Sequence, residues 1–329
     1  MANFKDIIGQ DNIKKHLQEG ILKGKISHAY IINGETGSGR RLIASALTKA
    51  LLCEDKTPDG DACGVCKSCL QADSGNHPDI RFITHDKASI GVDDIREQLN
   101  NDIGIKPYSS DHKIYIIPEA NKMTEEAQNA LLKTIEEPPN YAVIVLLTDN
   151  YENLLPTIQS RCIVLNTRPL GQAEITEYLI KNLQMEPERA KIAAGFCQGN
   201  VGKAIHFASS ESFKQMKEDT LKLLKEIDEM DISDIMSMIK ELSTRKGKIN
   251  EYLDLMLLWY RDVLMFKVTK DANILLYRDE YITISEQATK RNYEDIERII
   301  KAIDKAKIRL DANVNFETAI ELLLLTIKD

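Results

Sequence analysis

The sequence predicts an α/β domain built on a parallel sheet, followed by an all-helical region. Three observations carry this expectation. Short runs that are apolar on both faces alternate with helical patterns through the first half, as strands of a covered parallel sheet do because both of their faces are buried. After Arg168-Pro-Leu-Gly171 no run reads as a strand. From about residue 209 onward the chain is a succession of long amphipathic patterns, the mark of helices packed on one another.

In chain order, the first strand is His28-Ala-Tyr-Ile-Ile-Asn33, followed by a helix over 40–52. Further strands are Ile80-Arg-Phe-Ile-Thr84, Lys113-Ile-Tyr-Ile-Ile117, Ala142-Val-Ile-Val-Leu-Leu-Thr148 and Cys162-Ile-Val-Leu165. Helices are expected over 92–101 and 124–137, with a short one at Pro156-Thr-Ile-Gln-Ser160 ahead of the last strand. Residues 172–183 and 187–197 read as short helices closed by Gln198-Gly-Asn-Val-Gly202. The helical region holds 212–229, 231–243, 249–269, 293–310 and 314–327, with a boundary at Ser209-Ser210. Trp259, inside 249–269, is expected in the core.

Composition narrows the function classes. With 329 residues and 43% hydrophobic content the chain can bury the cores of two or three domains. A net charge of −8 and a pI near 5.5 argue against a broad phosphate-gripping surface. The start, MANFKDIIGQ, lacks the basic and apolar regions of a signal peptide. The longest apolar run, Ile320 to Ile327, is far too short to span a bilayer. The expectation is a soluble, cytoplasmic protein with no membrane partner.

Four of the six cysteines, Cys53, Cys63, Cys66 and Cys69, fall within seventeen residues, leaving Cys162 and Cys197 alone. In a cytosolic chain such clustering points to metal before disulfide. The interior, GDACGVCKSC, is rich in small and turn-forming residues that let the backbone close around an ion. Four thiolates suit a closed, structural zinc site with no open position for catalysis. An iron–sulfur cluster and a metal-free cluster remain alternatives, the former weakened because no Cys-Pro follows the run. His77 and His85 are spare nitrogens nearby.

Between the first strand and its helix lies GETGSGRR, with Gly34, Gly37 and Gly39 in the frame of a phosphate-binding loop. A working loop ends in Lys and then Ser or Thr, the Lys reaching the phosphates and the hydroxyl holding Mg²⁺. Here those positions are Arg40 and Arg41. Arg40 keeps the charge on a larger, differently aimed fork, and Arg41 offers no oxygen. The other protein ligand for Mg²⁺ in such sites is an Asp after a later strand, and that position is Pro118, followed by Glu119. Hydrolysis is therefore not expected, nor is ATP or ADP binding, although Arg40 leaves residual phosphate binding open. The loop is expected to serve as a retained turn of the fold.

Phe4-Lys-Asp-Ile-Ile-Gly-Gln10, His28-Ala-Tyr30, the glycine loop and the four-cysteine insert come in that order, with Ala130-Leu-Leu-Lys-Thr-Ile-Glu-Glu-Pro-Pro139 and Ser160-Arg-Cys162 beyond them. This series resembles the bacterial DNA polymerase III clamp loader family, AAA+ proteins, from residue 4 to about 205. Among its branches the departures at Arg40, Arg41 and Pro118, and a chain ending at 329, favour delta-prime over the ATP-hydrolysing gamma/tau motor. The resemblance implies a RecA-like AAA+ domain over 1–168 carrying the insert 53–69, a helical lid over 169–208 and a helical collar over 209–329. It implies partners, the gamma/tau and delta subunits of a pentameric ring, and indirectly the sliding clamp and primed DNA. It implies that Arg161 is an arginine finger acting on ATP held by the adjacent subunit. Thr148-Asp149-Asn150 falls where the family places a phosphate sensor, and Lys203 near a phosphate-sensing Arg of the lid. Cys162 is expected in the core, and Glu136 and Glu137 at an exposed helix end or a subunit contact. Two other readings stay open, an active gamma/tau-type ATPase and a zinc-containing nucleic-acid-binding module.

Overall fold

The computed structural model describes residues 1–209 and 211–328, so Ser210 of the expected Ser209-Ser210 boundary lies outside the described residues. The chain divides into two compact units, Met1–Gln184 with Gln198–Lys203, and Met185–Cys197 with Ala204–Asp329.

The first unit is built on strands β1 Ala29–Asn33, β2 Ile80–Phe82, β3 Lys113–Ile117, β4 Ala142–Thr148 and β5 Ile163–Asn166. They form one sheet in the order β2-β3-β4-β1-β5, every pairing parallel. This is the expected α/β class. The register sets Asn33 opposite both Thr148 and Asn166, and Ile117 opposite Leu146. The carboxyl ends of β1, β4 and β5 therefore come level, with β3 ending two residues short of them. In parallel sheets that edge is where ligands are bound.

Successive strand residues point to opposite faces, so each face collects its own core. Ile32, Ile114 and Val145 pack with helices α1 Asp11–Leu22, α2 Arg40–Leu52 and α3 Lys67–Asp73. Ile31, Tyr115 and Ile144 pack with the opposite layer. That layer holds α4 Val92–Ile95, a π-helical turn Arg96–Asn100, α5 Asn101–Ile103, α6 Glu125–Glu136 and α7 Pro156–Gln159. The first unit also contains α8 Gln172–Leu183.

Several boundaries differ from expectation, each for a local reason. Strand 80–84 stops at Phe82; Ile83 N–H still bonds Ile116 O of β3 at 2.9 Å, and Thr84 is then engaged by Gln98, its N–H donating to Oε1 at 2.9 Å and its carbonyl accepting from Nε2 at 2.7 Å. Strand 162–165 starts one residue late, because Arg161 N–H still bonds Ile158 O at the end of α7. The helix over 92–101 is broken by the π turn. In α6, Thr124 is the N-cap, its side chain accepting from Ala127 N, and Pro138 stops the helix before Glu137. Helices α1 and α3 have no counterpart in the expectations. Gly20 interrupts the first, and the second lies inside the cysteine run.

In the second unit are α9 Pro187–Phe196, the part of α10 Val201–Ser209 from Ala204 onward, α11 Glu211–Glu226, α12 Ile232–Ser243, α13 Ile249–Thr269, α14 Tyr281–Lys290, α15 Tyr293–Asp311 and α16 Phe316–Lys328. Long α13 is the hub, touching α11, α14 and α15. Trp259 is fully buried there, as expected, and its Nε1–H donates to Gln287 Oε1 at 2.9 Å. Gln287 in turn donates to Leu224 O, so a polar residue at a core position is satisfied on both ends. That polar core position also explains why α14 does not stand out in the sequence. Among the described residues no helix is long and apolar enough to cross a membrane.

Candidate functional site

The chain leaves β1 at Asn33, and Gly34 N–H extends the sheet by bonding Thr148 O at 3.1 Å. A turn closed by Ser38 N–H to Glu35 O then delivers the chain to α2. Gly37 and Gly39 stand at φ 92° and 94°, the left-handed region that side chains avoid. Residues 198–203 lie across this loop. Gly202 N–H donates to Gly37 O at 3.0 Å, and Asn200 Nδ2 donates to Thr36 O at 2.9 Å and to Glu35 Oε2 at 3.2 Å. The packing tolerates no side chains here: a Cβ on Gly202 would stand 2.6 Å from Gly37 Cα, and one on Gly37 would stand 2.4 Å from Asn200 Oδ1.

The charges around the loop are paired internally. Arg40 Nη2 donates to Thr36 Oγ1 at 3.1 Å, which donates onward to Asp149 Oδ2 at 3.4 Å. Burial lowers the Arg40 pKa, and neighbouring Asp149 opposes that shift. Glu119 pairs with Lys122 at 2.8 Å and with His85 Nε2 at 3.1 Å, and together they hold its carboxyl below the usual range. Lys203, near the lid position compared with a phosphate-sensing Arg, has its Nζ 4.0 Å from Glu35. Thr148 Oγ1 is spent on Asn150, donating to its carbonyl and accepting from its N–H. Arg41 and Pro118 line a cavity of about 280 Å³ together with Ala44, Ser45, Phe82, Ile116 and Leu147. Its walls are mostly apolar, and Ser45 supplies the side-chain hydroxyl.

Arg161 lies outside this group. It follows α7 on the surface, where Nη1 donates to Thr157 O at 3.0 Å and to Ser160 Oγ at 3.3 Å. Glu136 Oε1, at the last residue of α6, stands 2.9 Å from Nη2. Cys162 packs half-buried against the α6-side core, and burial pushes its thiol up to about 12. It is thus a thiol at neutral pH, with no histidine bonded to it.

The four clustered cysteines come together. Their sulfurs all lie within 4.8 Å of one another, with Cys53 and Cys66 at 3.9 Å and Cys63 and Cys69 at 4.0 Å. Thiolates bound tetrahedrally at about 2.3 Å stand roughly 3.8 Å apart, so the arrangement can hold a single metal ion. Cys53 caps the end of α2, and Cys66 caps the start of α3. Backbone N–H groups of residues 63, 66 and 69 donate to the sulfurs of residues 53, 63 and 66 at 3.3–3.4 Å. The N–H groups of Val65 and Cys66 draw the Cys63 thiol down to about 7, whereas burial raises Cys53 and Cys69. A bound cation would favour all four thiolates.

Neither spare histidine joins the cluster. His85 belongs to Glu119. His77 is buried, its Nδ1 accepting from Asp79 N–H at 3.1 Å. That leaves Nε2 as the protonated nitrogen, donating to Ser68 Oγ at 2.9 Å, which donates to Leu52 O. The chain of bonds ties α3 to the end of α2 and to the start of β2. Its members are saturated, so Ser68, His77 and Asp79 form a structural link and not a catalytic triad. Burial would raise the Asp79 carboxyl, but donors from Tyr108, Ser109 and Ser110 outweigh it.

Burial lowers the His77 pKa below 6.5, with Asp79 and Glu54 opposing. An imidazole kept neutral by the fold contributes stability that is fully present above 6.5 and lost as pH falls through the folded-state value. Amide protection factors in 67–76, referenced to the intrinsic exchange rate at each pH, should therefore fall on acidification from pH 7.5 to 5.5. The protection gap between wild type and His77→Gln should narrow over the same interval, and a constant gap would contradict this account.

Of the expected site residues, the structure brings Gly34, Gly37, Gly39 and Arg40 into one loop and the four cysteines into another. Arg161 stands apart. The sequence reading did not foresee the roles of Asn200 and Gly202 over the loop, nor of Glu136 beside Arg161. Their only signals are a Gly-Asn-Val-Gly turn and a Glu-Glu-Pro-Pro helix end, and neither carries a partner's identity.

Residues 9–171 match the family described as DNA polymerase III, delta subunit. The chain is 31% identical over 327 residues to DNA polymerase III subunit delta' of Bacillus subtilis (strain 168), covering 97% of this chain and 96% of that one. It is 29% identical to DNA polymerase III subunit tau of the same organism, covering 96% of this chain and 60% of that one. A DNA polymerase III gamma subunit-related protein of Thermotoga maritima aligns over 97% of this chain and 98% of its own, at 19% identity and a TM-score of 0.46.

Proposed function

The chain belongs to the DNA polymerase III delta-prime clamp loader family, and from that premise we propose that it is the non-hydrolysing stator of the clamp loader. It sits in a ring with gamma/tau and delta subunits and completes a neighbour's ATP site with Arg161. Its work supports the loading of a sliding clamp onto primed DNA in the cytoplasm. The observation that carries this reading is that the arginine of the Ser-Arg-Cys triplet is solvent-accessible and is held by Thr157, Ser160 and Glu136, not by residues of the chain's own glycine loop.

That loop supports the same reading. Position 41 offers a guanidinium and position 118 a proline where Mg²⁺ would take oxygen ligands. Arg40 is already paired through Thr36 with Asp149, and the loop's carbonyls are met by residues 198–203. Without the metal, nothing offsets the charge that develops on a transferred phosphoryl group. Arg161 suits the role in trans because its planar fork and permanent charge can meet phosphate oxygens at two points.

The three-domain division at 168/169 and 208/209 goes with this proposal, the last segment serving as the collar that joins the ring. The ion held by the cysteines is zinc in a structural role. An iron–sulfur cluster would place the thiolates on separate irons, farther apart than around one ion.

Purified alone, the chain should neither hydrolyse MgATP nor show saturable nucleotide binding by calorimetry at micromolar concentrations. DNA-stimulated turnover by the isolated chain would instead establish a gamma/tau-type motor, and tight salt-sensitive DNA binding a nucleic-acid module.

A further inference from the structure

We propose that Glu136 is a positioning residue for Arg161, presenting its guanidinium in the orientation in which it meets a neighbour's nucleotide. The inference rests on the trans-finger reading of Arg161 and adds to it the device that aims the finger.

Arg161 is a long, exposed side chain, and an unrestrained one would sample many rotamers. Here two acceptors and one ion-pair partner from its own chain hold it. Thr157 O is one of the carbonyls that a helix leaves unpaired at its carboxyl end, and Nη1 takes it together with Ser160 Oγ. The carboxylate of Glu136 lies against Nη2 at 2.9 Å. Nε makes no hydrogen bond among the described residues, so the guanidinium is braced on one side and keeps a donor free on the other. A finger held this way is already ordered when phosphate arrives, which favours productive geometry at the reacting group.

Glu136 can do this because the end of α6 is fixed. Thr134 and Ile135 are buried beneath it, and Pro138-Pro139 prevent the helix from continuing. Glu137, the helix C-cap, has φ −128° and ψ 62° and is turned off the helix. The pair is solvent-exposed on both sides, with side chains 39% and 46% accessible. An exposed ion pair of this kind is weak and exchangeable. Glu136 therefore orients Arg161 without competing strongly against a phosphate.

The test uses the reconstituted clamp loader, with steady-state ATP turnover measured for rings carrying Arg161→Ala, Glu136→Ala, Glu136→Gln and the Glu136→Ala, Arg161→Ala double variant. The share of turnover that Arg161→Ala removes is the reference. Glu136→Ala should lower that share about tenfold through kcat, with KM for ATP within about twofold of wild type. Glu136→Gln, which keeps the shape but loses the charge of the ion pair, should restore little of it, and the double variant should be no worse than Arg161→Ala. Full turnover in Glu136→Ala, or an added loss from it in the Arg161→Ala background, overturns the positioning role while leaving the finger intact. Undiminished turnover in Arg161→Ala removes the finger reading itself, a distinct outcome.

Discussion

Replacing Arg161 with alanine in the assembled ring should reduce ATP turnover at the site it completes by 10³–10⁵-fold, the range a trans arginine supplies. This amounts to roughly 4–7 kcal/mol of barrier. Total turnover should fall by that site's share, and clamp loading, which needs the sites to act together, should fall further. Arg161→Lys keeps the charge but loses the fork and should recover only part of the loss. The isolated subunit should unfold as wild type does, within about 1 kcal/mol, because the contacts that Arg161 makes with Glu136, Thr157 and Ser160 are at the surface. Unchanged turnover and clamp loading would end the trans-finger proposal.

The second large effect is expected at the cysteines. One zinc per chain should be found in untagged protein, and Cys63→Ser or a strong chelator should release it. A structural zinc site contributes on the order of 10 kcal/mol to local folding. The segment it orders has few apolar side chains of its own: Ala62 and Cys69 reach the main core, while Val65 and Leu70 are exposed. Amide protection should collapse over 53–73 and persist in the strands β1, β3 and β4, whose residues are buried throughout apart from partly covered Asn33. Contacts outside the insert would limit the spread of the loss, since Asp61 accepts from Phe4 and Lys5 N–H, and Lys49 pairs with Asp73. Metal content well below one ion per chain would contradict ligation by all four cysteines.

Much of the fold is legible in the sequence. Strands such as Lys113–Ile117 and Ala142–Thr148 are apolar apart from Lys113 and Thr148 at their ends, and burial on both faces is what makes them so. Helix Ile249–Thr269 is equally plain, because its apolar residues recur at helical spacing over five turns or more. Legibility fails where structure depends on distant partners. Strand β2 gives way where Gln98, a side chain from the π turn, takes both the N–H and the carbonyl of Thr84. Helix α14 hides because Gln287 sits where an apolar residue would advertise a core. His77 and His85 both follow the cysteines closely in sequence, yet His85 belongs to Glu119 and His77 to Ser68 and Asp79.

The class of fold, the four clustered thiols, and side chains without an oxygen at Arg41 and Pro118 can all be read from the sequence alone. These follow from residue type and short-range spacing, since no fold can give an arginine or a proline the missing oxygen. Only the tertiary structure decided how the charges are paired. Strand order and register bring the ends of β1 and β4 together, and that sets Arg40 through Thr36 against Asp149. Chain reversal lays Asn200 and Gly202 over the loop from more than 160 residues away. Packing of α6 beside α7 puts Glu136 against Arg161. Coulombic and hydrogen-bonding contacts act over a few ångströms of space, whatever the separation along the chain, so these pairings become visible only once the chain has folded.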